Sequence, residues 1–425
     1  MHQCFTRIRQ LLNRTTPMRV VTLTVVALTA CGGEKSAPTP ASTPAQVNAM
    51  AAPKVVAFDN PADSGSAQPG VTISSSGNVY LSWQDRLPDS SLVLRYAVRA
   101  NDKWSDVHDV KTGKNMLASA GDVPTVHEMP SGELVAVWRG SHDKTGYDIV
   151  MAHSTDKGAT WSAPVMPHRD ATNMEHGFVS WLQLGDTSAM IWVDGRGNTN
   201  PDKAKRATQL TLATLDSRGN PQKERVIDTK ICDCCHTSSV AVPGGAVVVY
   251  RDRKEGEIRD INAIRVVGST WREPVAVHND DWHIDGCPVN GPSISARGEK
   301  LAVAWFTAAH DSARVRVAFS SDTANSFGNP VNVNEGFPDG HVGIAMLNDT
   351  SAVASWIERK GAVAVLRLRT ITASGKMSSI ADVAELGEGK RAGGQPKLLL
   401  VNDHALLTYT DPKSSRVVTA RVELP

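Results

Sequence analysis

Three cysteines and a histidine share five consecutive positions in the stretch ICDCCHTSSVAV: Cys232, Cys234, Cys235 and His236. A further cysteine, Cys287, stands in DWHIDGCPVNGP. Cys232, Cys235 and His236 satisfy C-x-x-C-H, the spacing of a covalently held haem. The same residues suit a soft metal ion, with His236 or His283 as added ligands, or a disulfide to Cys287. One disulfide from Cys287 to the cluster is the expectation. It cannot consume all three cluster thiols, because bridging the neighbours Cys234 and Cys235 strains the geometry. A soft-metal site on the remaining sulfurs stays open. Haem is not expected, since the segment runs directly into the strand-like TSSVAV and no second axial ligand is fixed. No other cofactor is expected.

A second group of side chains suits anion recognition. The densest segment is RDRKEGEIRD, which holds Arg251, Asp252, Arg253, Glu257 and Arg259. Arg86, Arg139, Arg196 and Arg359 follow aromatic residues in comparable contexts, and His176 and His341 precede strand-like runs. A guanidinium presents a fork of donors that matches a carboxylate or phosphate bidentately. A small anionic or sugar-like ligand, or an envelope protein partner, is therefore the expected occupant. The formal net charge is only +1, so no global field draws nucleic acid, and nucleic-acid binding is not expected.

These residues are positioned by a repeat. A short strand, a Gly, Asn or Asp turn and a second strand ending in an aromatic recur at Trp83, Trp138, Trp192, Tyr250, Trp305, Trp356 and Tyr409, roughly 50–60 residues apart. Each unit continues with a third alternating strand and a fourth, which describes a four-stranded propeller blade. The last unit supplies three strands before the sequence ends, and PKVVAFDN (residues 53–60) is read as its missing outer strand. The prediction is an all-β, seven-bladed propeller closed by an N-terminal strand, with a six-bladed ring as the alternative. A monomer is expected. Because strands alternate in direction, the residues after each anchor aromatic and those entering each first strand share one face. Arginines, histidines and carboxylates would crown the channel mouth there.

STDKGATW (residues 154–161) is an S-x-D-x-G-x-T-W turn, in which the Asp156 side chain accepts backbone N–H bonds and Gly158 takes a conformation other residues resist. With this motif and its worn copies, residues 53–425 resemble the sialidase-like, Asp-box (BNR) repeat propellers. The resemblance implies an exo-glycosidase of sialidase type as the enzymatic alternative. That activity needs an arginine triad, a tyrosine nucleophile paired with a glutamate, and an aspartic acid/base. The family's F-R-I-P motif is absent, and only weak catalytic candidates stand out: Tyr409, Asp252 and Glu257. Tyr409 occupies an anchor position that other repeats fill with tryptophan, which favours core packing. A metal- or redox-handling propeller built on the cysteine cluster is the third reading.

The N-terminus carries Arg7, Arg9, Arg14 and Arg19, then VVTLTVVALTA and Cys31. Residues 1–30 read as a secretory signal of lipoprotein type, with Met18 as an alternative start. Cys31 is the expected lipidation site, in a setting that resembles a bacterial lipobox. Residues 31–52, rich in Pro, Ser, Thr and Ala, read as a flexible tether. The expectation is an exported, membrane-anchored protein at the outer membrane or periplasmic face.

Overall fold

The structure is a computed structural model that describes residues 50–119, 121–141, 146–389 and 394–423. The chain divides into Met1–Val47 and Asn48–Pro425. The expected signal segment, Cys31 and nearly all of the expected tether lie outside the described residues. Among the described residues, no helix is long and apolar enough to cross a membrane.

Seven antiparallel sheets form seven blades among these residues. From the channel outward, blade one comprises Ser66–Ile73, Val79–Arg86, Leu92–Ala100 and an outer strand split into Lys103–Trp104 and His108–Gly113. Blade two has Thr125–Glu128, Leu134–Ser141 and Tyr147–Ser154. Its expected fourth strand is reduced to a bridge between Met151 and Val165. Blade three has His176–Leu184, Thr187–Asp194, Thr208–Leu215 and Pro221–Ile231. Blade four has Ser238–Val242, Gly245–Arg251, Ile261–Val267 and a split outer strand, Thr270–Trp271 with Val275–His278. Blade five has Ser293–Arg297, Lys300–Thr307, Arg314–Ser320 and Val331–Asn332. Blade six has Phe337–Asn348, Ser351–Lys360, Val363–Thr372 and Ala381–Glu388. Blade seven has Lys397–Val401, His404–Asp411 and Arg416–Glu423, and Lys54–Phe58 completes it, with Lys54 opposite Glu423 and Phe58 opposite Thr419.

Second strands are apolar on both faces because each lies between neighbouring blades, and Trp83, Trp192, Trp305 and Trp356 are fully buried there. Their indole N–H groups must still find acceptors. Trp83 donates to Asp85 at 3.1 Å, Trp192 to Asp194 at 3.0 Å and Trp356 to Glu358 at 2.7 Å, each acceptor two residues on and so on the same strand face. Two residues after Trp305 stands Thr307, and the Trp305 indole donates instead to Asp280 at 2.7 Å. Each carboxylate then pairs with an arginine: Arg95, Arg196, Arg367 and Arg316, respectively.

Two Asp boxes hold the turns after third strands. Thr160 donates its N–H to Asp156 at 2.9 Å and its hydroxyl at 2.6 Å. Ser326 repeats both bonds to Asp322. Where the second box lacks glycine, Ala324 itself takes φ 63°. Ser154 and Ser320 pair with the starts of second strands, Leu134 and Leu301. First-strand entries pair with second-strand ends, as in Ser66 with Asp85 and His176 with Asp194. The boxes therefore occupy the face opposite the first-strand entries.

Candidate functional site at the channel mouth

The inner strands of blades one, three and six are bulged where they enter the channel, between Ala67 and Gly70, Gly177 and Ser180, and Gly340 and Gly343. Gln68, Phe178 and His341 take φ of 61°, 60° and 52° at these bulges. Such backbone is unfavourable for side-chain-bearing residues and persists where the surroundings over-determine it; bulges re-aim side chains beside functional sites. Gln68 accepts from the Ser119 N–H at 3.0 Å, and His341 Nδ1 meets Gln395 Oε1 at 3.0 Å. Below them the first strands enclose a channel of about 450 Å³ lined by Asp122, His127, Phe178, Trp181, His236 and Lys397, among others.

Four ionisable side chains meet at this end. Lys397, at the start of blade seven, interacts electrostatically with Asp122 of blade two, His236 of blade four and His341 of blade six. Its ammonium therefore reaches toward three other blades. Burial lowers Lys397 to about 8, against the opposing pull of Asp122. Burial likewise pushes the Asp122 carboxyl up, although the Phe178 backbone, Arg139 and Lys397 favour its anion. His236 and His341 are held below the usual imidazole range by burial and by the nearby cations.

Tyr147 forms the wall beside Asp122. The Arg139 guanidinium lies 3.3 Å from the centre of its ring. Burial first, then Glu175, push the phenol up, while Arg139 opposes them. Gly177 makes this approach feasible: a Cβ there would lie 2.5 Å from Asp122 Oδ2 and 3.1 Å from Tyr147 Cε2. The site thus offers an ammonium, a carboxyl pushed up by burial, two imidazoles pushed down by it, and a phenol beside the Glu175 carboxylate.

The predicted crown is divided among several places. Arg139 and His341 join the channel mouth, and His236 lines the channel. Arg251 is buried, with Nε, Nη1 and Nη2 donating to the carbonyls of Asn290, Arg259 and Phe306 at 2.9, 2.7 and 2.7 Å, over the Trp282 ring. Those bonds tie blade four to blade five. Arg253 and Arg259 both clasp Glu257, whose carboxyl is lowered to about 2, first by the Arg253 hydrogen bond. Asp252 accepts from the Arg253 N–H and the Asn262 amide, each at 2.8 Å. Arg196 bridges Asp194 and Glu224, Arg359 pairs with Asp339, and Arg86 is exposed beside the Ser90 carbonyl.

His176 sits between blades two and three. It is fully buried and stacks on His168 at 3.7 Å, among Asp148, Asp170 and Asp194. Burial opposes its charge, but the Asp148 and Asp194 contacts outweigh that and raise it to about 9. Tyr409 packs with Leu398, Ala405, Leu407 and Val422 in the core between blades six and seven.

Cys234 is disulfide-bonded to Cys287, which joins the entries of blades four and five. Cys232 and Cys235 are buried free thiols with Sγ atoms 2.7 Å apart. Burial alone would hold the Cys232 thiol up. The Cys235 hydrogen bond and the Arg251 and Arg259 charges outweigh it and bring Cys232 down to about 7. Among the described residues, the side-chain groups close enough to share a metal include Cys232, Cys234 and Cys235, and neither His236 nor His283 joins them.

The sequence reading missed Asp122, Tyr147, Glu175 and Lys397. The repeat register held the one available signal, since Asp122 and Lys397 stand close to the first-strand entries of blades two and seven.

No protein-family model matches the sequence, and no curated protein matches it. The fold is shared widely among solved structures. An ulvan lyase of polysaccharide lyase family PL25 superposes with a TM-score of 0.52 at 10% identity, over 88% of this chain and 94% of the lyase. The same type of enzyme has been solved bound to -[GlcA(1-4)Rha3S]-. The NanB sialidase of Streptococcus pneumoniae gives a TM-score of 0.46 at 9% identity over 87% and 94% of the two chains. A protein of unknown function from Dyadobacter fermentans gives 0.44 at 13% identity over 88% and 99%. The chain shares the propeller fold of the ulvan lyase.

Proposed function

We propose that the protein binds an anionic carbohydrate, a sugar carrying a carboxylate, at the mouth of its central channel. The observation that carries this reading is Lys397, an ammonium set deep in the mouth and facing Asp122, His236 and His341. A desolvated cation is a strong anchor for a ligand carboxylate. The neutral imidazoles, Gln68 and Gln395 supply the uncharged donors and acceptors that sugar hydroxyls require. The ulvan lyase of this fold, solved with a glucuronate-containing chain, supports the ligand class. A lipid on Cys31 would hold the site at an envelope surface.

Binding of ulvan oligosaccharides should exceed binding of neutral oligosaccharides in calorimetry. Lys397→Met should weaken it roughly 10- to 100-fold, the loss of one charge-assisted hydrogen bond. Affinity should also fall as pH rises past about 8, because the ammonium then loses its proton. Equal affinity for neutral sugars, or unchanged affinity in the variant, would overturn the reading.

Tyr147 favours a second reading, an exo-glycosidase of sialidase type, because the phenol has Glu175 as a base and Asp122 across Gly177 as an acid. Release of 4-methylumbelliferone from its sialoside, abolished in Tyr147→Phe, would support it. No turnover with sialosides or uronides leaves simple binding as the function.

A further inference from the structure

Four sulfurs form a continuous path from the surface to the interior beside blade four. Cys287 is exposed and bonded to Cys234, which is half-buried. Cys234 Sγ lies 3.9 Å from Cys232 Sγ, and Cys232 Sγ lies 2.7 Å from Cys235 Sγ. Cys232 and Cys235 are 1% and 2% exposed. A staple between blades needs two cysteines, so it leaves the buried pair unexplained. Packing also leaves unexplained why a guanidinium is aimed at that pair: Arg259 Nη1 lies 3.6 Å from Cys232 Sγ. Glu257 at 2.8 Å and Asp233 at 3.1 Å hold Arg259 in that pose.

We propose that the Cys232–Cys235 dithiol and the Cys234–Cys287 disulfide are the two ends of an intramolecular thiol–disulfide relay, which carries two electrons between the buried pair and a disulfide- or thiol-bearing partner at Cys287. In the first step the Cys232 thiolate attacks Cys234 Sγ. The Cys234–Cys287 bond breaks, and Cys287 leaves as a thiolate that takes up a proton. In the second step the Cys235 thiolate attacks Cys232 Sγ. The transient Cys232–Cys234 bond breaks, and Cys234 leaves and is protonated. The buried pair ends oxidised and the surface pair reduced, two protons pass from one pair to the other, and no outside oxidant is consumed. Disulfide exchange proceeds through such mixed intermediates, with the thiolate as nucleophile. Arg259 acts as a positioning residue that stabilises the attacking thiolate.

The path offers one point of entry. Cys287 faces solvent, so a partner's thiol or disulfide meets the relay there while the inner pair stays shielded from small oxidants. This proposal is independent of carbohydrate binding at the channel mouth.

The test uses the full-length protein, fully reduced, freed of reductant and returned to a single disulfide with one molar equivalent of diamide. N-ethylmaleimide is then added without any reductant, and peptides are mapped by mass. A relay exposes Cys287 transiently, so peptides should appear with Cys287 and Cys234 alkylated and Cys232 bonded to Cys235. Cys232→Ala should abolish Cys287 labelling. Arg259→Met should slow it roughly tenfold at neutral pH and move its pH profile upward, as expected when a thiolate loses its cation. Arg259→Lys should recover part of the rate. Thermal melts of each variant distinguish unfolding from loss of exchange. The relay is overturned if Cys287 stays unlabelled in folded protein, or labels as fast in Cys232→Ala. It is equally overturned if the two inner thiols hold a stoichiometric metal ion that blocks exchange.

Discussion

Arg251→Ala tests whether the densest arginine segment is a ligand site or a tie between blades. The wild-type guanidinium satisfies three buried carbonyls, on Asn290, Arg259 and Phe306. Each abandoned buried acceptor costs about 1–3 kcal/mol. Water entering the vacated space recovers part of that, so the net loss should be about 3–5 kcal/mol, in the range for breaking a buried charged contact. Unfolding entropy of about 2.1 cal/mol/K per residue gives about 0.8 kcal/mol/K for a propeller of this length, so Tm should drop about 4–6 °C. Differential scanning calorimetry reads that shift directly. Arg251→Lys should fall between wild type and alanine, because an ammonium cannot span three carbonyls that a planar fork reaches together. A Tm change below about 1 °C would refute the reasoning. So would loss of ligand affinity with full thermal stability, which would return Arg251 to the ligand site.

Two further outcomes are expected. His176 is raised to about 9 in the folded state, so its stabilising charge is fully present below the unfolded value near 6.5 and is lost as pH rises through 9. Urea unfolding should therefore show wild-type stability declining across that window by on the order of 3 kcal/mol relative to His176→Gln; parallel pH profiles would refute it. If Cys31 carries a lipid, Cys31→Ala should release the protein from membranes into the soluble fraction, because anchoring would then rest on the acyl chains. Membrane attachment of the variant that survives high salt would refute lipidation.

The ring was legible in the sequence because its determinants are local and repeated. An aromatic closing each second strand and a turn residue ahead of it recur at a nearly constant period, and no long-range information is needed to count them. The disulfide was legible through the same register, which set Cys287 and the Cys232–Cys235 segment at the entries of adjacent blades. The structure divides the charged crown among several places because adjacency in sequence does not say which way a side chain turns. Asp85, Asp194 and Glu358 each stand two residues after a tryptophan, on the same strand face, and serve its indole N–H. That W-x-[DE] spacing was visible and pointed to scaffold. Lys397 and Asp122 were missed for another reason: the register sets them near the first-strand entries of blades seven and two, but their encounter across the channel is made only by the closure of the ring.

Closure also imposes an order of events on synthesis. The strand Lys54–Phe58 is among the first parts of the propeller to be made, and its partner Arg416–Glu423 is the last. At a synthesis rate of roughly 5–20 residues per second, the early strand waits about 20–70 s before its partner exists. During that interval blade seven has no sheet, and the flanks of blades one and six that it will cover remain open. The propeller therefore cannot complete itself while it is still being made.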